Sequence, residues 1–360
     1  MNAPIVFVVP GQLKQLTGGY LFDRRIVEGL RDRHHSVHVI ELPGQFPLVD
    51  TTATAAAQEV ICSLERESVL VIDGLALPSF ASRLPLQPCH TTIGFIHHPL
   101  SLETGLTIDQ ASQMARLEST LWAALDGLIC ASPSTARSVL ASGVPGDRIQ
   151  VASPGVDIST SPIAIRDKSG GTDTCRLLCV ATVTARKGHV VLVEALAKIR
   201  DYRWTLDCYG SLSRDPDTVN ALLLAIKGHE LEDRIRLHGE QPAERLALAW
   251  AEADLFVLPS FHEGYGMVLT EAIANGLPII STRAGAIPET VPAQACMLVN
   301  PGDAHALAQV LHELMVNRAR MSCMRQAVLE ARQSLISWPE AIDHWLQALD
   351  FLLNRHRFVA

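Results

Sequence analysis

Short apolar runs alternate with segments of helical spacing along most of the chain. Runs such as residues 69–72 lack polar alternation, which predicts strands buried on both faces. Between such runs, apolar residues recur at intervals of three and four, which predicts helices. The predicted strands of the first part are residues 5–9, 37–42, 69–72, 92–96, 127–131 and 149–152, and its helices are 21–30, 52–64, 114–125 and 134–140. This alternation indicates an α/β fold with a mostly parallel sheet.

The pattern breaks once and then restarts. Residues 157–174 are polar, contain Pro162 and Gly170-Gly171, and show no apolar period, so we interpret them as a link between domains. Further strands are predicted at 177–182, 204–209, 235–237, 255–258 and 278–281, with helices at 189–199, 218–226, 243–252 and 267–274. Residues 338–353 form an amphipathic helix after this second set. We therefore predict domains at 1–157 and 176–338, a linker at 158–175 and a tail at 339–360.

Composition narrows the class of protein. The chain has 360 residues, of which 48% are hydrophobic and 19% charged, so it can bury large cores and disorder is excluded. Its net charge of −8 argues against a protein that covers nucleic acid. There is no run of about 18 apolar residues, and no basic segment precedes the first apolar run. We expect a cytoplasmic protein with reduced cysteines and at most peripheral contact with the inner face of a membrane.

The most informative segment is residues 259–289, PSFHEGYGMVLTEAIANGLPIISTRAGAIPE. It follows a buried strand, and Gly264 and Gly266 then open a helix at about Met267. Free amide groups at a helix start bind anions, and glycines let a phosphate approach the backbone. Glu263 and Glu271 flank this turn, and a carboxylate suits the vicinal hydroxyls of a sugar or ribose. The segment predicts a sugar-nucleotide site; the alternative is a glycine-rich turn with surface carboxylates.

Further segments fit the same ligand. Arg186 and Lys187, between a strand and a helix, would neutralise a diphosphate and stabilise it as a leaving group, although an ordinary basic loop is the alternative. Gly18 and Gly19 follow the first strand and would bring amide groups to a phosphate, or form a plain turn.

The histidines and the paired acidic residues allow both a functional and a structural interpretation. His97 and His98 end a buried strand; His98 is the better candidate for contacting a sugar, while His97 is more readily a structural histidine. The scattered histidines do not predict a zinc site. Asp215 and Asp217 resemble a metal-binding D-x-D, but we interpret them as a solvated loop. The Arg- and His-rich helix around Asp23 is interpreted as a solvated face rather than a lipid-binding one.

Together these segments resemble retaining GT-B glycosyltransferases of family 4. The resemblance rests on the 259–289 block, the Arg186-Lys187-Gly188 loop, the Gly18-Gly19 turn, residues 153–157 and Ser337-Trp338, whose order and spacing agree over nearly the whole chain. It implies two facing Rossmann-like domains with a deep interdomain cleft and a last helix that crosses back to the first. The first domain would bind the acceptor and the second the nucleotide sugar.

The resemblance also implies a reaction: metal-independent transfer of a hexose from a UDP- or GDP-sugar, with retention and without a cofactor. Glu263 would contact the transferred sugar and Glu271 the ribose. The implied catalytic residues are His98, Arg186, Lys187 and Glu263, and the implied donor-binding residues are Gly18, Gly19, Arg186, Lys187, Glu263, Gly264, Tyr265, Gly266, Met267, Val268 and Glu271.

The sequence departs from the family at one place. Many members have Gly-Arg where this chain has Ala181-Thr182, and that arginine binds phosphate, so Arg186 would have to compensate. A catalytically silent sugar-nucleotide-binding subunit and a GT-B relative such as an epimerase therefore remain as alternatives. A dehydrogenase is disfavoured because G-x-G-x-x-G is missing after the first strand. The acceptor stays open among a lipid, a polysaccharide and a small soluble alcohol.

Overall fold

The computed structural model describes residues 3–86, 90–158 and 174–359, with side chains through Arg355. The chain forms two compact units, one of Met1–Gly155 with Ile336–Ala360 and the other of Val156–Leu335. Each unit has a parallel six-stranded sheet with flanking helices, which confirms the predicted α/β class with Rossmann-like halves. The predicted linker falls largely on residues 159–173, outside the described residues.

The first unit is a doubly wound sheet with the strand order β2-β1-β3-β4-β5-β6, all parallel. The strands are β1 (Ile5–Pro10), β2 (Val37–Leu42), β3 (Val69–Asp73), β4 (Thr91–Ile96), β5 (Gly127–Cys130) and β6 (Ile149–Val151). The helices are α1 (Gly18–Asp32), α2 (Thr51–Ser63), α3 (Ile108–Ala124), α4 (Pro133–Ala141) and α12 (Trp338–Val359), the last from the end of the chain. The strand order reverses between β1 and β3, and ligands of such sheets bind at this point, beyond the carboxyl ends of the strands.

The final helix is part of the first unit's core. Trp345 of α12 is fully buried, and its ring lies 6.3 Å from that of Phe7 on β1 and 5.9 Å from that of Phe95 on β4. The same helix packs against α1, where a Cβ atom at Gly29 would lie 2.3 Å from the side chain of Ile342. The amphipathic pattern of the tail therefore reflects burial against this sheet.

The second unit repeats the architecture with the strand order β12-β11-β10-β7-β8-β9. Its strands are β7 (Cys175–Val180), β8 (Trp204–Tyr209), β9 (Ile235–Leu237), β10 (Leu255–Leu258), β11 (Ile279–Thr282) and β12 (Cys296–Val299). Its helices are α5 (His189–Ala197), α6 (Pro216–Gly228), α7 (Ala243–Glu252), α8 (Met267–Ala274), α9 (Ile287–Thr290), α10 (Ala304–Val316) and α11 (Arg318–Arg332). The order reverses between β7 and β10, so the loops after these strands border the expected ligand-binding point.

Capping residues account for the main shifts from the predicted helix bounds. Helix α3 begins at Ile108 because Thr107 and Gln110 form a capping box, six residues before the apolar spacing that predicted a start at 114. Asp215 caps α6 by accepting from the backbone N–H of Thr218, and Pro216 is the first helical residue. The D-x-D is thus a helix start rather than the predicted loop. The pattern also left α9 to α11 and β12 unpredicted.

Two further features concern all of the described residues. Every cysteine within the described ranges is a free thiol. Among the described residues, no helix combines the length and the apolar character needed to cross a membrane.

We predict that Trp345→Ala lowers the stability of the first unit by about 3–5 kcal/mol, because it leaves a cavity between α12 and the sheet. Phe351→Ala is the matched control, since Phe351 lies on the same helix and is 50% exposed. The measurement is urea unfolding with hydrogen exchange of the β1 and β4 amides, which monitors this unit separately. Equal effects of the two substitutions would contradict the packing described for α12.

Candidate functional site

The site in the second unit forms where β7 and β10 lie side by side. Leu177 of β7 pairs with Leu255 of β10, so the loops that follow the two strands emerge at one edge of the sheet. One loop carries Arg186 and Lys187, and the other carries Glu263. The Arg186-Lys187 loop and the Glu263 loop are thereby brought into contact, as expected for loops that follow neighbouring strands.

The Glu263 carboxylate is the centre of this contact. Its Oε1 atom lies 2.6 Å from the Nζ of Lys187 and accepts a hydrogen bond from the Ser260 hydroxyl at 2.6 Å. Its Oε2 atom lies 3.5 Å from a guanidinium nitrogen of Arg186. Ser260 was not predicted as a site residue, although its position three residues before Glu263, close to the end of a buried strand, was the available signal.

The charges around Glu263 determine its ionisation. Its side chain is 6% exposed, and burial by itself would favour the neutral acid. Lys187 and Arg186, together with hydrogen bonds from Lys187 and Ser260, outweigh burial and lower the pKa of Glu263 to about 2. The carboxylate is therefore charged at neutral pH and able to accept hydrogen bonds from hydroxyl groups.

Backbone contacts fasten the two loops to each other. A guanidinium nitrogen of Arg186 donates to the carbonyl of His262 at 2.8 Å, and the N–H of Phe261 donates to the carbonyl of Arg186 at 2.7 Å. Gly188 has a φ of +71°, and a Cβ atom there would lie 2.2 Å from the carbonyl oxygen of Pro259. A side chain at Gly188 would thus separate the loops.

A third loop, which contains Gly285 and Ala286, holds the backbone around Glu263. The sequence did not predict this contact. The N–H of Ala286 donates to the carbonyl of Glu263 at 2.9 Å, and the hydroxyl of Thr290 donates to the carbonyl of Tyr265 at 2.6 Å. Gly285 permits this approach, because its φ is +54° and a Cβ atom would lie 2.2 Å from the Glu263 carbonyl oxygen. The end of the 259–289 block therefore holds its beginning in place.

Helix α8 begins at Met267, as predicted. Gly266 precedes it with a φ of +89°, and within the described chain no side chain caps the first amide groups. The amides of Tyr265, Gly266, Met267 and Val268 therefore lie at a helix start that side chains leave uncapped, next to the loop of Gly264 and Glu263. Such a start favours an anionic ligand.

Glu271 lies one turn into α8 and is half-buried. Burial and the nearby Asp157 carboxylate raise the pKa of Glu271 to about 7. Glu263 and Glu271 therefore differ in charge near neutral pH, because Lys187 and Arg186 lie beside Glu263 whereas a second carboxylate lies near Glu271. The spacing between the two glutamates in the sequence does not reveal this difference in charge.

The predicted residues Gly18, Gly19 and His98 belong to the first unit. Gly18 and Gly19 are the first two residues of α1 rather than a separate turn, and Thr17 precedes the helix without a side-chain cap among the described residues. The Nε2 atom of His98 lies 2.6 Å from Glu103 in the loop after β4.

His97 lies close to two carboxylates. Its Nε2 atom lies 3.0 Å from Asp23 of α1 and 3.3 Å from Asp73 at the end of β3. Asp23 is fully buried, which corrects its prediction as part of a solvated face. The signal was present, because Asp23 precedes the apolar Ile26 and Val27 by three and four positions on the helix.

These groups also have the spacing of a metal site. Within the described residues, Asp23, Asp73 and His97 are the cluster whose ligand atoms lie within 4.8 Å of one another. The contacts of the imidazole Nε2 atom with both carboxylates account for that spacing without an ion. We therefore interpret the cluster as an imidazole and two carboxylates that share protons.

The loop with Ala181 and Thr182 is fixed by its backbone. Ala181 donates its N–H to the carbonyl of Tyr209 at 2.8 Å, and a Cβ atom at Gly210 would lie 2.1 Å from the Ala181 carbonyl oxygen. Because these positions carry small side chains, the cations of this edge come from Arg186 and Lys187 instead.

Part of the chain is similar in sequence to known proteins. Residues 174–317 match the family model described as Glycosyl transferases group 1. The amylovoran biosynthesis glycosyltransferase AmsK of Erwinia amylovora is 33% identical over 187 residues, which cover 49% of this chain and 44% of AmsK. The matched region thus spans about half the length of such curated relatives.

Solved structures resemble nearly the whole chain. Sucrose-phosphate synthase from Thermosynechococcus elongatus has a TM-score of 0.79 at 20% identity and covers 99% of both chains. Anabaena Alr3699/HepE in complex with UDP and glucose has a TM-score of 0.76 at 19% identity and covers 97% of this chain and 99% of its own. These similarities confirm the GT-B fold that the resemblance implied.

We predict that Glu263→Gln destabilises the second unit by about 3 kcal/mol at neutral pH, because it removes the partner of two cations. The native carboxylate has a pKa of about 2 against an ordinary value of 4.5, so its contribution is complete above 4.5 and is lost as pH falls through 2. The stability difference between wild type and variant should therefore narrow between pH 5 and pH 3 (both values approximate).

Urea unfolding at several pH values measures this difference. Glu232→Gln is the control, since Glu232 is an exposed glutamate of the same unit. A gap that stays constant with pH would show that the cations do not stabilise the Glu263 carboxylate.

Proposed function

Since residues 174–317 of this chain match the family model described as Glycosyl transferases group 1, we propose that the protein transfers a hexose from a nucleoside-diphosphate sugar to a hydroxyl acceptor. The proposed reaction retains the anomeric configuration and needs no metal, as in family 4. The observation that carries this proposal is the charged Glu263, held by Lys187 and Ser260 beside the uncapped start of α8.

The site offers matching groups for each part of such a donor. The diphosphate would bind the α8 amides, because a helix start attracts anions. Glu263 would accept hydrogen bonds from the transferred sugar, and Glu271 from the ribose hydroxyls. Arg186 and Lys187 would neutralise the charge that develops on the departing diphosphate, which is the task a divalent metal performs elsewhere.

The identity of the nucleotide is the first point to establish. The similar HepE structure contains UDP and glucose, so UDP is tested first and GDP second. Calorimetric titration with and without Mg²⁺ would show whether binding depends on metal. The acceptor is left as a hydroxyl compound of unspecified class.

We predict that nucleotide affinity rises roughly tenfold between about pH 6 and about pH 8, because binding to hydroxyls requires ionised Glu271. The pKa of free Glu271 is raised to about 7, so the protonated form dominates below that pH and must lose its proton. Glu271→Gln should bind more weakly and lose this part of the dependence, while the nucleotide's own phosphate titration remains in both proteins.

Glu244→Gln, an exposed glutamate of α7, is the control and should keep the wild-type profile. Identical profiles for wild type and Glu271→Gln would remove Glu271 from the nucleotide site.

We predict that Lys187→Ala lowers kcat by roughly 10²–10³-fold, the effect of losing one preorganised group that stabilises transition-state charge. Arg186→Ala should weaken donor binding, since no arginine stands at Ala181-Thr182 to share the diphosphate. Lys198→Ala, which removes an exposed lysine at the end of α5, is the control for both. Near-normal kcat in Lys187→Ala would reject its proposed role.

The Ala181-Thr182 departure also favours a second candidate, a subunit that binds a sugar nucleotide without turnover. Donor hydrolysis without acceptor separates the two: slow release of free sugar supports the enzyme, whereas tight binding with no hydrolysis or transfer supports the silent subunit.

A further inference from the structure

The two oxygens of the Glu263 carboxylate have different surroundings. Oε1 lies 2.6 Å from the Nζ of Lys187 and accepts a hydrogen bond from the Ser260 hydroxyl at 2.6 Å. Oε2 has a longer contact, 3.5 Å to a guanidinium nitrogen of Arg186. Oε2 is therefore the oxygen that can accept a short hydrogen bond from a ligand, and the orientation of the carboxylate decides where Oε2 points.

The Ser260 hydroxyl can set this orientation because the peptide group between Ser260 and Phe261 is held on both sides. Its carbonyl accepts a hydrogen bond from the Thr282 hydroxyl at 2.5 Å. Its N–H, which belongs to Phe261, donates to the carbonyl of Arg186 at 2.7 Å. Because a peptide group is planar, two opposed hydrogen bonds fix its rotation. They thereby constrain the backbone from which the Ser260 hydroxyl reaches Glu263.

Burial and proton count determine the direction of these hydrogen bonds. Ser260 and Thr282 are both fully buried, so water has little access to their hydroxyl groups. A hydroxyl has one proton to donate, whereas a carbonyl and an ionised carboxylate can only accept. Thr282 therefore donates to the backbone of Ser260, and the side chain of Ser260 donates to Glu263.

Thr282 reaches this peptide group because of its place in the sheet. The described pairing of β10 with β11 ends at Leu258 and Ser281, and Thr282 is the last residue of β11. Ser260 lies two residues beyond the end of β10. The Thr282 side chain therefore continues the contact between the two strands past the end of their ladder.

We propose that Thr282 and Ser260 are positioning residues for the donor sugar: through the Ser260–Phe261 peptide, they hold the Glu263 carboxylate so that Oε2 meets a hydroxyl of the transferred hexose. Neither residue needs to touch the ligand. The inference rests on the proposed function for the identity of the sugar, whereas the hydrogen-bond chain is a property of the free protein. Its consequence is that the sugar part of the donor, and not the nucleotide part, depends on the Thr282 hydroxyl.

The test compares the affinities of UDP-glucose and UDP by calorimetric titration of the full-length protein. The ratio of the two dissociation constants isolates the contribution of the sugar. We expect Thr282→Val to weaken UDP-glucose roughly tenfold, as for one misplaced hydrogen bond to a charged group, and to leave UDP within about twofold. Thr282→Ser keeps the hydroxyl and should restore the wild-type ratio. The corresponding GDP pair is used if GDP is the nucleotide that binds.

Ser281→Ala is the matched control. The Ser281 hydroxyl is equally buried and donates at 2.6 Å to the carbonyl of Leu258, which belongs to β10 rather than to the loop. This variant loses the same kind of hydrogen bond but should keep the wild-type ratio. Equal loss of the sugar contribution in Thr282→Val and Ser281→Ala would overturn the proposal. Even if Thr282→Val does not fold, loss of that contribution in Thr282→Ser would overturn it.

Urea unfolding gives a readout that needs no ligand. Because Thr282 and Ser260 belong to one chain of hydrogen bonds, the Thr282→Val/Ser260→Ala double variant should be less destabilised than the sum of the single variants. Additive effects would contradict the chain. If the wild type binds neither nucleotide sugar while the variants are non-additive, the glycosyltransferase proposal fails and the hydrogen-bond chain is supported.

Discussion

The arrangement in the second unit depends on one requirement: the buried Glu263 carboxylate needs positive charge beside it. A carboxylate with a nearly inaccessible side chain is costly to keep ionised without a partner. Lys187 supplies that partner from a loop that is 76 residues away in the chain, and Arg186 adds a second cation. The ion pair therefore joins the ends of β7 and β10 and sets the position of both loops.

The contacts around the Glu263–Lys187 ion pair keep the loops close together. Gly188 and Gly285 sit where the loops approach each other most closely, and both have backbone conformations that favour glycine. The hydrogen bond from Arg186 to the carbonyl of His262 holds the guanidinium beside Glu263. A ligand would thus meet groups that are already oriented, which is the condition for stabilising developing charge without reorganisation.

Both units place buried ionisable groups at the reversal point of their sheets, but with opposite results. In the second unit two cations surround one carboxylate, and the pKa of that carboxylate falls. In the first unit two carboxylates surround one imidazole, and the pKa of His97 rises. Burial by itself opposes both charged forms, and the neighbouring charges outweigh it because the interior screens charge less than water does.

Sequence alone determined most of the strands and helices and the repeated α/β architecture, because hydrophobic period and turn residues act over a few positions, but it left β12 and α9 to α11 unpredicted. It also identified Glu263, Arg186, Lys187 and the α8 start, since each follows a predicted strand. It placed Asp23 on the wrong face because interleaved charges suggested solvent exposure. It could not pair Asp23 with His97, 74 residues away, or distinguish Glu263 from Glu271 in charge. Those properties depend on which groups the folded sheet brings together and removes from water, and only the tertiary structure decides that.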